Sequence, residues 1–298
     1  MAQHTVTLDH PTDWAGFRRA ARTLVQAGVP PQAVDWFTTQ DVTEDLFASP
    51  TAGSGIDAGA AASTPLDLSA LQPRSDRPAP RVPEEFVRLC ERLVLHRNPA
   101  RFALMYRLLW RLAHDRALRH DPLDADRMQA HHMVRAVARD MHKMHAFVRF
   151  RPVTDSDGHT VQVAWFEPDH YITEANAGFF VRRFTQMHWA ILTPDASVRW
   201  DGTDLHVGPG GQRSDAPPPD AGEALWLTYY RHIFNPARLK TTMMKKEMPT
   251  RYWRNLPEAA LITELSHGAH ERSGHMVEAE ATTPRKRIEP MRRGASSA

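Results

Sequence analysis

Residues 138–166, ARDMHKMHAFVRFRPVTDSDGHTVQVAWF, contain the change of hydrophobic period on which the fold turns. Up to Met141 the apolar residues Val134, Val137, Ala138 and Met141 share one side of a helix. From His145 the period becomes two: Ala146, Val148 and Phe150 alternate with His145, Phe147, Arg149 and Arg151, which predicts a half-buried strand. Asp157-Gly158 followed by HTVQVAWF then predicts a hairpin return.

Further along, DHYITEANAGFFVRRF reads as a helix capped by Asp169, and MHWAILT, SVRW and DLHVG read as strands, the last two joined at Asp201-Gly202. The order is ββαβββ between helical flanks. Hairpins favour antiparallel pairing, so the class expected is α+β with a mainly antiparallel sheet.

Upstream, HTVTL reads as a strand, and Thr12 or Asp13 opens a helix carrying Trp14, Phe17, Ala21 and Leu24, which Gly28 stops. PPQAVDWF reads as the start of a second short helix. Phe86, Leu89, Leu93 and Val94 form another helical stripe. Asn98-Pro99 supplies a start signal for the helix bearing Phe102, Met105, Leu108, Leu109 and Leu112, and Asp121-Pro122 repeats that signal. The segment from Ser49 to Arg81 is rich in Ala, Pro, Gly and Ser and holds no aromatic residue, as a linker would. GPGGQRSDAPPPDAG reads as an exposed loop, with helix from Asp220 to about Arg272. The chain thus divides into an N-terminal βα segment (1–48), a flexible linker (49–81), a main α+β domain (82–272) and a disordered basic tail (273–298).

The 298 residues, 42% of them apolar, suffice for a substantial core. No run reaches the roughly 18 apolar residues of a membrane helix, and MAQHTVTLDHPTDW lacks the character of a signal peptide, so no membrane and a cytoplasmic location are expected. Cys90 is the single cysteine, which excludes an internal disulfide or an iron–sulfur cluster held by this chain alone, and its place on an apolar stripe predicts a buried thiol.

With a formal charge of only +2, anion binding has to come from clustering. Two clusters stand out. In the first, Arg135, Arg139 and either His142 or Lys143 share a helix face, with Arg149, Arg151 and the ring of Phe147 on the predicted strand. In the second, Tyr229 to Asn255, the cations Arg231, Arg238, Lys240, Lys245, Lys246, Arg251 and Arg254 face only Glu247; this +6 leaves the rest of the chain at −4. Tyr229, Tyr230, Tyr252 and Trp253 lie among them, and Asn235-Pro236 marks a helix start whose backbone N–H groups could meet phosphate. Rings among cations suit single-stranded nucleic acid, with bases stacking while the cations follow the backbone.

Bond-making candidates are sparser. Glu167 and His170 could form an acid/base pair. Asp201 and Glu247 are further carboxylates to weigh, although Asp201 also suits a turn. His131, His132, His142 and His145 suggest a metal only by number, since adjacent helical residues diverge by about 100°. No cofactor or metal is expected.

LLWRL, ARDMHKMHAFVRFR, AWFEPDH, FFVRRFTQMHWAILTPDASVRWDG and YYRHIFNPARLKTTMMKKEMPTRYWRNLPEA together resemble a domain of unknown function associated with DNA metabolism or DNA repair. That domain occurs alone or as the amino-terminal extension of family X uracil-DNA glycosylases, its gene often beside one for a DNA-modifying radical SAM protein. The resemblance covers Val6 to Phe37 and Val82 to Arg272. It implies an accessory protein of such enzymes: a radical SAM enzyme needs three cluster cysteines, and fused relatives begin their glycosylase domain near NLPEAALITEL, where this sequence soon ends. The expectation is a protein that binds single-stranded or unpaired DNA and acts with a radical SAM protein or a uracil-DNA glycosylase. Its binding residues would be Arg139, Lys143, Phe147, Arg149, Arg151, Arg238, Lys240, Lys245, Lys246, Arg251, Tyr252, Trp253 and Arg254. The rivals are a nuclease or base-modifying enzyme using Glu167, His170, Asp201 or Glu247, and a protein adaptor that does not touch DNA.

Overall fold

A parallel pair of short strands begins the chain. Strand β1 (His4–Leu8) leads into helix α1 (Trp14–Ala27), and after a single 3-10 turn (Pro31–Ala33) strand β2 (Val34–Thr38) returns beside β1, His4 opposite Val34. Here the structure corrects the second short helix expected at PPQAVDWF. Val34, Trp36 and Thr38 are buried and Asp35 and Phe37 exposed, a period of two that β1 completes. Helix α1 matches its sequence signals: Asp13 accepts a hydrogen bond from Gly16 N, and Gly28 ends the helix with φ 76°.

In this computed structural model residues 4–40, 81–115, 121–154, 159–217, 241–256, 259 and 261 are described. The predicted linker apart from Arg81, the Asp157-Gly158 turn and the predicted tail lie outside them. The chain forms two compact units, Met1–Pro218 and Pro219–Ala298.

In the first unit, helices α2 (Glu84–Leu93), α3 (Arg101–His114) and α4 (Ala125–Phe147) form a helical layer. The βαβ segment is fastened to α3 by an aromatic cluster in which Phe17 lies 4.8 Å from Trp36 and Trp36 5.6 Å from Tyr106. Two buried donors reinforce it: Tyr106 Oη gives its hydrogen to Val29 O (2.6 Å) and Arg101 Nη2 to Pro11 O (2.6 Å). Helices α3 and α4 are joined by Arg107, which grips both oxygens of Asp126, and by Arg111, which donates to Asp124 and Asp126. These arginines hold the carboxyls of Asp124 and Asp126 below their ordinary range, chiefly through side-chain hydrogen bonds. Cys90 is fully buried, and burial pushes its thiol well up, so it stays protonated.

The α+β class and the ββαβββ order stand. The five strands β3 (Arg151–Thr154), β4 (Thr160–Trp165), β5 (Trp189–Leu192), β6 (Ala196–Trp200) and β7 (Leu205–Pro209) lie in sequence order in one sheet. All neighbours are antiparallel except β4 and β5, which run parallel because helix α5 (Thr173–Arg183) crosses between them. Phe180 of α5 and Trp189 are buried beneath that crossover, with half-buried Phe150 against Phe180, the two phenyl rings 6.3 Å apart and edge to face.

Several helix boundaries move. Asn98 Oδ1 takes the N–H of Ala100 and Asp121 Oδ1 that of Leu123, so both are turns preceding helices that begin at Arg101 and Ala125; the cap of α4 is Asp124, which accepts from Arg127 N. Asp169 does not cap α5, whose N-cap position is Ile172. The predicted loop after β7 contains a 3-10 turn (Arg213–Asp215) with a reciprocal Gln212/Asp215 capping box. The second unit holds helix α6 (Thr241–Glu247) and a 3-10 segment (Thr250–Asn255) around buried Tyr252, Leu256 and Leu261. None of the described helices is long and apolar enough to cross a membrane.

Candidate nucleic-acid interface

Helix α4 does not hand over to a strand at His145; it runs on to Phe147, and β3 starts only at Arg151. The reason is the buried stripe. It consists of Ala130, Met133, Val137, Asp140 and Met144, rather than Val134, Val137, Ala138 and Met141, and Met144 keeps the last turn on the core while Val148 N bonds Met144 O. Phe147 is therefore a helical residue.

This correction aligns the cations differently. Arg135, Arg139, Lys143 and Phe147 now recur every fourth residue, in steps of about 6 Å along the axis and over about 18 Å in all. Arg135 and Arg139 are exposed, Lys143 and Phe147 half-buried, and the Lys143 ammonium lies 5.7 Å from the Phe147 ring centroid. Arg149 and Arg151 are used within the fold. Arg149 Nη1 donates to Ala146 O (2.7 Å) and Val148 O (3.2 Å), capping the carbonyl end of α4, and Arg151 Nη1 donates to Pro217 O (2.6 Å).

In the second unit Lys245 and Lys246 are exposed on α6, with Glu247 exposed beside them. Arg251 lies 4.5 Å over the Tyr252 ring and donates to its hydroxyl; Tyr252 is only 2% exposed, so that ring is core. Trp253 is half-buried and its Nε1 donates to Met248 O, while Arg254 is exposed. Arg238 and Lys240, with Tyr229, Tyr230, Arg231 and the Asn235-Pro236 helix start, lie outside the described residues.

The carboxylate candidates have partners of other kinds. Glu167 Oε1 accepts from Trp165 Nε1 (2.8 Å) and lies 3.7 Å from Arg213 Nη1. His170 Nδ1 accepts the backbone N–H of Arg97, and the His170 ring packs 4.3 Å from that of His96. Asp201 Oδ1 takes the N–H groups of Thr203 and Asp204 and Oδ2 meets His206 Nε2; the Asp204 N–H, then His206, then the Thr203 N–H hold its carboxyl well below the usual range. These are turn and loop contacts. Among the described residues no group of three His, Cys, Asp or Glu side chains is placed to hold a metal ion.

Sequence reasoning missed the acid at the centre of this region. Asp140 is 3% exposed, and its Oδ2 accepts the backbone N–H of His170 (2.9 Å), anchoring the turn before α5 to α4. Its position between Val137 and Met144 on the apolar stripe was the available signal. Nearby, Arg97 makes a two-pronged ion pair with Asp195 and lies 4.5 Å over Tyr171; burial opposes its charge, but Asp195 outweighs that and keeps its pKa raised.

Together these features define an α+β domain with a long cationic helix face and with Glu167, His170 and Asp201 engaged in structural contacts. The chain belongs to the family described as domain of unknown function DUF4130, whose profile matches residues 99–258. The match spans α3 through α6 and so includes both basic stretches. Comparison with curated proteins and with solved structures gives no match.

Proposed function

We propose that this chain is a nucleic-acid-binding accessory protein of DNA repair or modification, working beside a separate enzyme. The observation that carries the reading is the row Arg135–Arg139–Lys143 on α4, ending at the Phe147 ring. Its cations would track backbone phosphate. The second unit, taken by itself, exposes Lys245, Lys246 and Arg254. Unpaired DNA is the favoured ligand. The sequence resemblance supplies the rest of the context, with a radical SAM protein or a uracil-DNA glycosylase as the enzyme served. Binding is preferred to catalysis because Glu167, His170 and Asp201 are held in turn and loop contacts.

The test is binding of the purified protein to single-stranded, duplex and uracil-containing DNA at two salt concentrations. The expected result is binding that weakens steeply with salt and is strongest on single strands. Absence of salt-dependent binding to all three would overturn the proposal.

A further inference from the structure

Helix α5 carries two arginines that belong to neither basic stretch, and the structure ties its last turns to those of α4. His145 stacks on Phe179 with ring centroids 3.6 Å apart and planes 18° from parallel. His145 Nε2 lies 2.6 Å from Asn176 Oδ1, and Asn176 Nδ2 donates to Met141 O (3.3 Å). Burial lowers the His145 pKa, Asn176 partly offsets that, and the charge of His142 lowers it again. The ring is thus a packing contact rather than a cation at neutral pH.

What this contact joins is unbalanced in charge. Residues 141–154 and 175–192 contain no Asp or Glu, yet they contain Lys143, Arg149, Arg151, Arg182 and Arg183. Helix carbonyl ends attract cations, but two of them amount to only about one negative charge in total. Arg149 already serves the end of α4, and Arg151 is held by Pro217 O. Arg182 and Arg183 are exposed, three and four residues beyond Phe179. They bring positive charge well beyond what the helix ends neutralise.

We infer that Arg182 and Arg183 are phosphate contacts, and that the nucleic-acid site is built on two helices. His145 is two residues, and so about 200°, from Lys143 on α4; the strand therefore passes from the row round α4 by way of exposed His142 to the end of α5, and His145 and Phe179 are positioning residues that fix the two helices side by side. This rests on the nucleic-acid reading above and extends it to side chains on a second element.

The experiment measures binding of a fluorescently labelled oligothymidylate by anisotropy across a salt series. It compares the parent protein, R182A/R183A, R182K/R183K and R135A/R139A, each checked for folding by circular dichroism. R182A/R183A should bind more weakly, with its logarithmic salt slope reduced by roughly 1.4, about 0.7 for each phosphate of a single strand that is no longer neutralised, while the lysine pair keeps the slope. If R135A/R139A flattens the slope and R182A/R183A matches the parent, the extension to α5 is wrong and the α4 reading stands. If the parent does not bind, both fall. Should the alanine pair not fold, R182Q/R183Q removes the same charges with longer side chains and is read by the same slope.

Discussion

Tyr106→Phe isolates one bond between the N-terminal βα unit and the helical layer. The Tyr106 ring is fully buried and lies 5.6 Å from Trp36, and a phenylalanine ring fills the same space. Only the hydroxyl that donates to Val29 O (2.6 Å) is removed. Burial pushes the phenol pKa up, so the donor is present throughout the accessible pH range. A net hydrogen bond contributes about 1 kcal/mol, and a carbonyl left without its donor adds to that, so the cost expected is about 1–2 kcal/mol. For a folding unit of this size, roughly 2–4 °C of Tm per kcal/mol gives a fall of about 2–8 °C. Urea and thermal unfolding followed by tryptophan fluorescence measure it. Amide exchange should locate the loss, with faster exchange at residues 29–38 and little change in β4 and β5. A variant at least as stable as the parent would refute the reasoning, because Val29 O would then have an equally good partner in water.

Stability should fall as pH drops below about 6.5, the ordinary value of an unfolded histidine. Burial, then Arg101 and His132, depress the pKa of His96, and burial depresses that of His145, so the unfolded chain takes up these protons first; a Tm unchanged from pH 7.5 to 5.5 contradicts this. A separate loss should begin only below about 4, where Asp124 and Asp126, held low by Arg111 and Arg107, lose the charge on which their ion pairs depend. Asp140→Ala should cost about 1–3 kcal/mol by stranding the His170 N–H, and Asp140→Asn, which keeps an acceptor, should cost less; equal losses in chemical denaturation would show that the carboxylate charge is what counts. Glu167→Gln and Asp201→Asn should leave DNA affinity intact or slightly raised, and a DNA-cleaving or base-releasing activity abolished by either change would promote the enzymatic reading.

Where local chemistry and tertiary partners agreed, the sequence was enough to place the elements. The Asp13 cap and the Gly28 stop both lie where α1 begins and ends, and the alternation in WAILT and SVRW survives because β5 and β6 are neighbours in both chain and sheet. Strand β2 was hidden because its partner is β1, thirty residues upstream in register, so five residues after a Pro-Pro pair gave no local sign of pairing. The segment AFVRF fits either period, and the contest was settled by Met144, whose burial in the stripe with Met133 and Val137 outweighed the β preference of the residues that follow. Asn98 and Asp121 misplaced two helix starts because an Asx turn uses the same side-chain acceptor as a cap.

The candidate interface was legible as clusters of charge but not as a division of labour among them, because the groups that neutralise a cation are often distant in sequence. Arg97 finds Asp195 ninety-eight residues away, Arg107 finds Asp126 nineteen away, and Arg101 is buried against the carbonyls of Val94, Asn98 and Pro11. These arginines look no different in the sequence from Arg135 or Arg139. Within the first basic stretch the same sorting occurs over a few residues: Arg149 turns back to cap α4 and Arg151 reaches Pro217, while Arg139 stays exposed on the helix face. Arg135 is exposed on that face too, as are Arg182 and Arg183 at the end of α5, where the Arg183 guanidinium lies 5.8 Å over the Phe184 ring. Net charge alone would never have selected them, since the acids elsewhere in the chain reduce the total to +2. Arg182 and Arg183 exceed the partial negative charge of the α5 carbonyl end on which they sit, whereas the α4 row begins about 18 Å before its own helix end, so helix-end electrostatics explain neither group in full.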